Sequence, residues 1–224
     1  MLIYHGSDHV IEKPQYGLGN ANNDYGLGFY CTESLEMAQE WSAVFGRKVG
    51  WANAYELDCK ALSVLRLDGP DYTALHWLAI LLENRVFSDN HALARQAKEY
   101  VMGTFVVDYS GCDVIVGNRA DDSYFSFAKA FLNGSISYQQ LKRAMNLGDL
   151  GLQVVVKSPK AFGGLSFVEA VEAPTDFWLP RRLNRDARAR ADYFDLSKSG
   201  FDKNGLFIQD ILREEMTPGD ARLQ

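Results

Sequence analysis

Two short stretches near the start of the chain carry residue types suited to gripping a flat, hydroxyl-bearing ligand. Tyr4-His5-Gly6-Ser7 closes a brief apolar run, and Asp24-Tyr25-Gly26-Leu27-Gly28-Phe29-Tyr30-Cys31-Thr32 sets two glycines directly before an aromatic-rich strand. A neutral imidazole both donates and accepts hydrogen bonds, and glycine leaves its main-chain groups open to a partner. Lacking Cβ, Gly26 and Gly28 let a ligand approach the backbone closely. Tyr30 then presents a flat, polar-tipped ring beside that backbone. Each stretch alone has a plainer reading: a strand-end histidine that satisfies a turn, and a glycine-flanked strand. Ser7 either touches the ligand or caps its turn. The two stretches become informative as a pair.

That pair resembles the first two signature blocks of the ADP-ribosyltransferase superfamily, in its diphtheria-toxin and poly(ADP-ribose) polymerase branch. That branch carries His-Gly-Ser/Thr, then Gly-x-Gly-φ-Tyr (φ apolar) running into a helix. Within it the chain is similar to a bacterial family of uncharacterised domains that open Leu-Tyr-His-Gly-Ser and continue Asp-Phe-Gly-x-Gly-Phe-Tyr. The likeness spans roughly residues 1–170. It implies that His5 holds a ribose hydroxyl of NAD⁺, that the Gly6 backbone binds the nicotinamide amide, and that Tyr30 stacks on nicotinamide, with Ser7 and Gly28 beside the dinucleotide. Trp41 falls at the offset of a second aromatic that sandwiches nicotinamide in the polymerases; a core tryptophan is the other reading. Ala38 stands where the polymerases often have a serine, which removes one hydrogen bond.

The third block is Leu150-Gly151-Leu152-Gln153-Val154-Val155-Val156-Lys157-Ser158-Pro159. The resemblance puts a catalytic glutamate at the position of Gln153. Such a carboxylate holds a ribose hydroxyl and favours the oxocarbenium character of the breaking glycosidic bond. Glutamine accepts the hydroxyl without charge and is a poor general base. Three outcomes stay open: slow transfer through Gln153, in a His-Tyr-Gln signature; rescue by a carboxylate elsewhere, such as Glu214 or Glu215; or NAD⁺ binding without reaction. A strand-edge amide is the structural alternative.

The elements that must position these residues follow from pattern. A chain of 224 residues can bury a full core, and 47% hydrophobic with 23% charged residues describes an ordinary globular protein. A net charge of −6 argues against a general electrostatic grip on nucleic acid, leaving room for a local basic groove. Cys31, Cys59 and Cys112 lack metal spacing and read as reduced and buried, which points to the cytoplasm. No signal peptide and no membrane-length apolar run is expected, although export without a cleaved signal stays open. Strands are expected at 1–5, 27–32, 48–59, 62–67, 112–117 and 165–171, and the resemblance implies one more within the third block, 150–159. Residues 12–24 form a connecting loop by composition. Ser34 caps a helix whose inner face is Leu35, Ala38, Ser42 and Phe45. Residues 71–101 read as two helices, the second from about Asn90, carrying His76 and His91; two histidines without a third ligand make no metal site. Asp121 and Asp122 cap a helix over 124–132 or position a substrate. Ser137-x-x-Gln140 opens another helix as a capping box, and residues 206–216 form an amphipathic one. The basic cluster from Arg181 to Arg190 reads as a solvated helix face or as a phosphate groove.

The expected architecture is α+β: an ADP-ribosyltransferase-like split core of two small, mainly antiparallel sheets across a cleft, ringed by helices. Residues 1–173 form that domain with 71–101 as a helical insertion. The segment from Pro174 to Pro180 marks a boundary, and 174–224 is a helical appendage. The resemblance implies an NAD-dependent ADP-ribosyltransferase acting on a macromolecular acceptor, protein or nucleic acid, as the toxin of a bacterial toxin–antitoxin or phage-defence pair with a small antitoxin partner. An NAD⁺ glycohydrolase, or a silent NAD⁺- or nucleotide-recognition module, are the alternatives.

Overall fold

Leu2–Ser7 (β1) lies antiparallel to Val49–Leu57 (β3), and β3 lies antiparallel to Leu165–Pro174 (β7), giving the first sheet in a computed structural model. The described residues are 1–87, 91–119, 122–198, 202 and 204–224. The second sheet runs β2 (Phe29–Cys31), β6 (Leu152–Val156), β5 (Val114–Asn118), β4 (Val64–Arg66), with only β4 and β5 parallel. The fold is therefore α+β, with two small sheets and eight α-helices among the described residues.

The side-chain period of two in the second sheet builds two cores. Val114, Val116, Val154 and Val156 face Ile3, Tyr55 and Leu57 of the first sheet. Ile115 and Val155 face the opposite way, onto the helices. Burial on both faces is why these strands read as unbroken apolar runs. The sheets touch at their β1 and β2 edges, where Tyr4 and Thr32 exchange backbone hydrogen bonds of 2.8 and 2.9 Å. That junction brings the end of β1, with His5 and Gly6, alongside Tyr30.

Ser34 caps Leu35–Ser42 (α1), its hydroxyl accepting from the Met37 amide at 3.2 Å. The inner face matches the expected one at Ala38 and Ser42 and departs from it at Leu35 and Phe45. Met37, Ala38, Glu40 and Ser42 are buried, Leu35 is half-buried, and Phe45 lies beyond the helix end, 77% exposed. Two helices fill the expected insertion, Ala74–Asn84 (α2) and Ala92–Thr104 (α3). His76 Nδ1 accepts from the Thr73 amide at 2.9 Å and so caps α2 from within. Asp122–Leu132 (α4), Tyr138–Ala144 (α5) and Pro159–Gly163 (α6) follow. The Ser137 capping box is present, closed by Gln140 Oε1 on the Ser137 amide at 2.8 Å. Asn90 and Asp121, and the Asp122 side chain, lie outside the described residues.

The expected boundary at Pro174 to Pro180 is where the last strand gives way to a long helix. Pro174 is the last residue of β7, paired with Val49, and Thr175–Lys198 (α7) starts at the next residue with Pro180 inside it. Ile208–Arg213 (α8) is shorter than the amphipathic pattern suggested. α7 is riveted to α1: Arg185 Nε and Nη2 donate to the two carboxylate oxygens of Glu40, both at 2.9 Å, and Nη1 donates to the Gly148 carbonyl at 2.9 Å. Glu40 is 2% exposed. Removing the guanidinium strands a buried carboxylate, the costly half of such a pair. Arg185→Met should therefore lower unfolding free energy by about 3 kcal/mol, read as a fall in the urea midpoint; an unchanged midpoint would show that the pair carries no stability.

Candidate functional site

Where the two sheets meet, β1, β2, β6, α1 and α7 enclose a cavity of about 370 Å³ lined by His5, Gly6, Tyr30, Trp41 and Gln153, together with Asn23, Asp24, Arg85, Arg119 and Arg182. A second cavity of about 460 Å³ lies on the other side of His5, Asn23 and Tyr30, which line both. Its walls are Gly28, Phe29, Phe162 and the loop from Ile11 to Gly19. The loop read only as a connector is thus one wall of the cleft.

His5 sits on the ring of Phe29, centroids 4.3 Å apart, with Nδ1 2.7 Å from the Tyr30 carbonyl. A carbonyl only accepts, so Nδ1 carries the hydrogen of that bond. Burial lowers the His5 pKa from its ordinary 6.5; the Tyr30 carbonyl opposes this and His9 adds to it. The neutral ring then has Nε2 as an acceptor, suited to a ligand hydroxyl. The sign of the pH dependence follows. The unfolded chain binds a proton at a higher pH than the folded one, so the folded state weakens as pH falls from about 6.5 toward the depressed value, whereas a ligand donating to Nε2 weakens only as pH falls through the depressed value itself. Ligand affinity should be flat above the depressed pKa of His5 and drop below it, where binding releases one proton from the ring, as titration calorimetry in buffers of different ionisation enthalpy would reveal. Affinity that rises on acidification would contradict the assignment of the neutral ring.

Tyr30 contributes its ring rather than its tip. Its hydroxyl donates to the Gly26 carbonyl at 2.6 Å and accepts from the Tyr25 amide at 3.0 Å. Burial raises its pKa well above the ordinary value, keeping it a phenol. The loop it closes is anchored from below. The Tyr25 hydroxyl donates to the Asn118 carbonyl at 2.6 Å, and Lys157 Nζ donates to the Tyr25 carbonyl. Tyr25 fits because position 117 is glycine: a Cβ there would lie 2.3 Å from the Tyr25 hydroxyl.

The glycines of the signature answer to protein neighbours. A Cβ on Gly28 would lie 2.6 Å from Val155 Cγ1, so that space is filled by β6 rather than left open for a ligand. Gly26 has φ +72°, where only glycine is unstrained. A Cβ on Gly6 would lie 2.2 Å from the Ala38 carbonyl oxygen, so β1 presses directly on α1.

Gln153, 5% exposed, stands opposite Gly117 in β6, and its Oε1 is buried without a hydrogen-bond partner among the described residues. Trp41 Nε1 is in the same condition. Both atoms belong to residues that line one cavity and are buried polar groups without a partner among the described residues. Ser7 is turned elsewhere, donating to the His9 carbonyl at 2.6 Å and accepting from Asn53 Nδ2 at 2.9 Å. Glu214 and Glu215 do not line the cavity; Glu214 pairs with Arg222 at 2.7 Å. The carboxylate that does line it is Asp24, 6% exposed, 3.5 Å from Arg85 Nε.

Asp24, Arg85 and Arg119 had no local signal as site residues, because they come from a loop, a helix end and a strand end, whereas Arg182 belongs to the basic cluster read as a solvated face or a phosphate groove. The guanidinium of Arg119 lies 4.2 Å from the centre of the Trp41 ring. The basic cluster divides: Arg182 reaches the cavity and donates to the Ala43 carbonyl at 3.2 Å, Arg185 holds Glu40, and Arg181 packs 3.5 Å over Phe177. Cys31 is buried, while Cys59 and Cys112 are half-buried and all three are free thiols.

A family model described as Protein of unknown function (DUF3990) matches residues 1–167. The chain belongs to that family. Neither the curated proteins nor the solved structures gave a match. The DUF3990 segment spans β1 through the start of β7 and contains the cavity residues except Arg182, which α7 contributes from outside it. No helix among the described residues is long and apolar enough to cross a membrane, and no group of three or more His, Cys, Asp or Glu among them is placed to hold a metal.

Proposed function

We propose that this DUF3990 protein is an NAD-dependent ADP-ribosyltransferase with an ADP-ribosyltransferase-like split-sheet core. The observation that carries the reading is the meeting of His5, Tyr30, Trp41 and the orphaned Gln153 amide oxygen around one cavity at the sheet junction. NAD⁺ is the substrate. Its nicotinamide end takes the cavity of Tyr30, Trp41 and Gln153, and its adenosine end the neighbouring one, with His5 between. Nε2 of His5 and Oε1 of Gln153 accept ribose hydroxyls, the Gly6 backbone meets the carboxamide, and the Tyr30 ring stacks on the pyridinium. The C1′–N bond breaks with its electron pair leaving on nicotinamide. A lone pair of the acceptor closes on C1′, and the acceptor's proton passes to water. Gln153 steadies the developing oxocarbenium only as a dipole, so the rate is modest compared with that of a carboxylate. The resemblance of the signature residues further supports a toxin role in the cytoplasm, with a macromolecular acceptor and a small antitoxin.

The neutral amide also favours a second reading, an NAD⁺-binding module that does not turn over. Incubation with labelled NAD⁺ separates the readings. Transfer labels a macromolecule and releases nicotinamide, glycohydrolysis releases nicotinamide and free ADP-ribose, and a silent module gives calorimetric binding alone. Absence of both binding and turnover would end the proposal.

A further inference from the structure

We propose that Lys157 is a positioning residue for Tyr30: its ammonium braces the glycine loop against Tyr109 and the end of α2, and so fixes the ring that both cavities share. This deepens the transferase reading and rests on it for the ligand, though not for the loop. Lys157 follows β6 directly and lines neither cavity. Its Nζ donates to the Tyr25 carbonyl and lies 5.3 Å from the centre of the Tyr109 ring. Both main-chain groups of Tyr25 are thereby engaged, because its amide donates to the Tyr30 hydroxyl at 3.0 Å. Gly26 is gripped from two sides. A Cβ there would lie 2.5 Å from Asn84 Oδ1 and 3.6 Å from Lys157 Nζ, and its carbonyl accepts from the Tyr30 hydroxyl at 2.6 Å.

The far end of the brace starts in the helical insertion. Asn84, the last residue of α2, donates from Nδ2 to the Ile80 carbonyl at 2.8 Å and to the Tyr109 hydroxyl at 3.0 Å. The Tyr109 hydroxyl donates in turn to Glu83 Oε2 at 2.8 Å. An ammonium taken half out of water is at odds with its own solvation; burial lowers the Lys157 pKa, with Glu83 and Cys112 opposing. What the lysine adds is reach: a four-carbon stem carries its head from the end of β6 to the loop, and the face of Tyr109 holds that head in place. α2 thus acts on the cleft through Asn84, Tyr109, Lys157 and Tyr25 without lining it.

Amide hydrogen exchange, followed by NMR on the full chain without ligand, tests the brace. In Lys157→Met the Tyr25 and Gly26 amides should exchange about tenfold faster, the loss of one charge-assisted bond, measured relative to the β5 amides that report global opening. Lys157→Arg should restore part of the protection. Tyr109→Leu should move the same amides in the same direction by a smaller factor, and it decides the matter if Lys157→Met does not fold. Lys160→Met, which removes the neighbouring lysine's bond to the Ala61 carbonyl, should leave them as in wild type. Calorimetry with NAD⁺ then separates positioning from plain stability. Lys157→Met should weaken affinity about fivefold alone but less than about twofold in a Tyr30→Phe background, where the chain of bonds is already cut at the hydroxyl. Loop exchange unchanged relative to β5, or losses of affinity that multiply across the two substitutions, overturns the proposal. Faster loop exchange in a protein that ignores NAD⁺ keeps the brace and removes the transferase reading instead.

Discussion

Tyr30→Ala should reduce NAD⁺ turnover by roughly a hundredfold or more, about 2.7 kcal/mol in transition-state terms. The ring lines both cavities and is the flat surface between them. Losing a stacking platform costs about 1–3 kcal/mol by itself. The substitution also unties the loop, because the hydroxyl bonds both the Gly26 carbonyl and the Tyr25 amide. Tyr30→Phe separates the two effects. It keeps the platform and abandons the loop bonds, so it should cost about 1–2 kcal/mol of stability and change turnover only a few-fold. Nicotinamide release and urea unfolding, measured on both variants, give the comparison. Full activity in Tyr30→Ala would remove Tyr30 from the site, and His5→Ala should act in the same direction.

Gln153→Glu should raise turnover, by roughly tenfold or about 1.4 kcal/mol off the barrier. Gln153 is 5% exposed, and a carboxylate in that position normally stays protonated rather than ionise out of water. Here Arg85, Arg119 and Arg182 line the same cavity and favour the ionised form. An ionised carboxylate stabilises positive charge on the ribose where the amide offers only a dipole. Single-turnover rates of nicotinamide release across pH measure the gain. A Gln153→Glu chain that binds NAD⁺ as before and shows no rate increase at any pH would place the amide away from C1′.

Local chemistry made much of the fold legible before any coordinates. Ser34 and Ser137 are caps because a hydroxyl before an amphipathic run satisfies open helix amides, and both do so. The valine-rich strands β5 and β6 were visible because burial on both faces leaves no polar alternation to obscure them. Phe45 was misassigned to the inner face of α1 because periodicity alone does not show where a helix stops; α1 ends at Ser42, with Ala43 extended after it. The stretch between Pro174 and Pro180 reads as a border because two prolines flank it, and β7 gives way to α7 there without a connecting loop. In the candidate site, His5 and Tyr30 were legible from short stretches whose residue types suggest a ligand, and Trp41 and Gln153 only through the positions that the resemblance gives them. Arg85 and Arg119 were not, since an arginine reached only through the tertiary fold looks like any other surface charge, and Arg182 was visible only as one member of a basic cluster. The glycines were legible as special but for another reason. Gly28 and Gly117 make room for Val155 and Tyr25, a requirement set by residues far away in the chain.

Gly6 has a mechanical role that its main-chain chemistry conceals. With the Ala38 carbonyl oxygen 2.2 Å and Trp41 Cβ 3.1 Å from where a methyl would sit, the bare backbone is a shim setting the gap between strand and helix. Any thicker residue levers α1 outward and carries the indole with it. The width of the slot beside Trp41 is thus machined by the smallest residue in the cleft, and drift at that one position would widen the jaws without touching an aromatic.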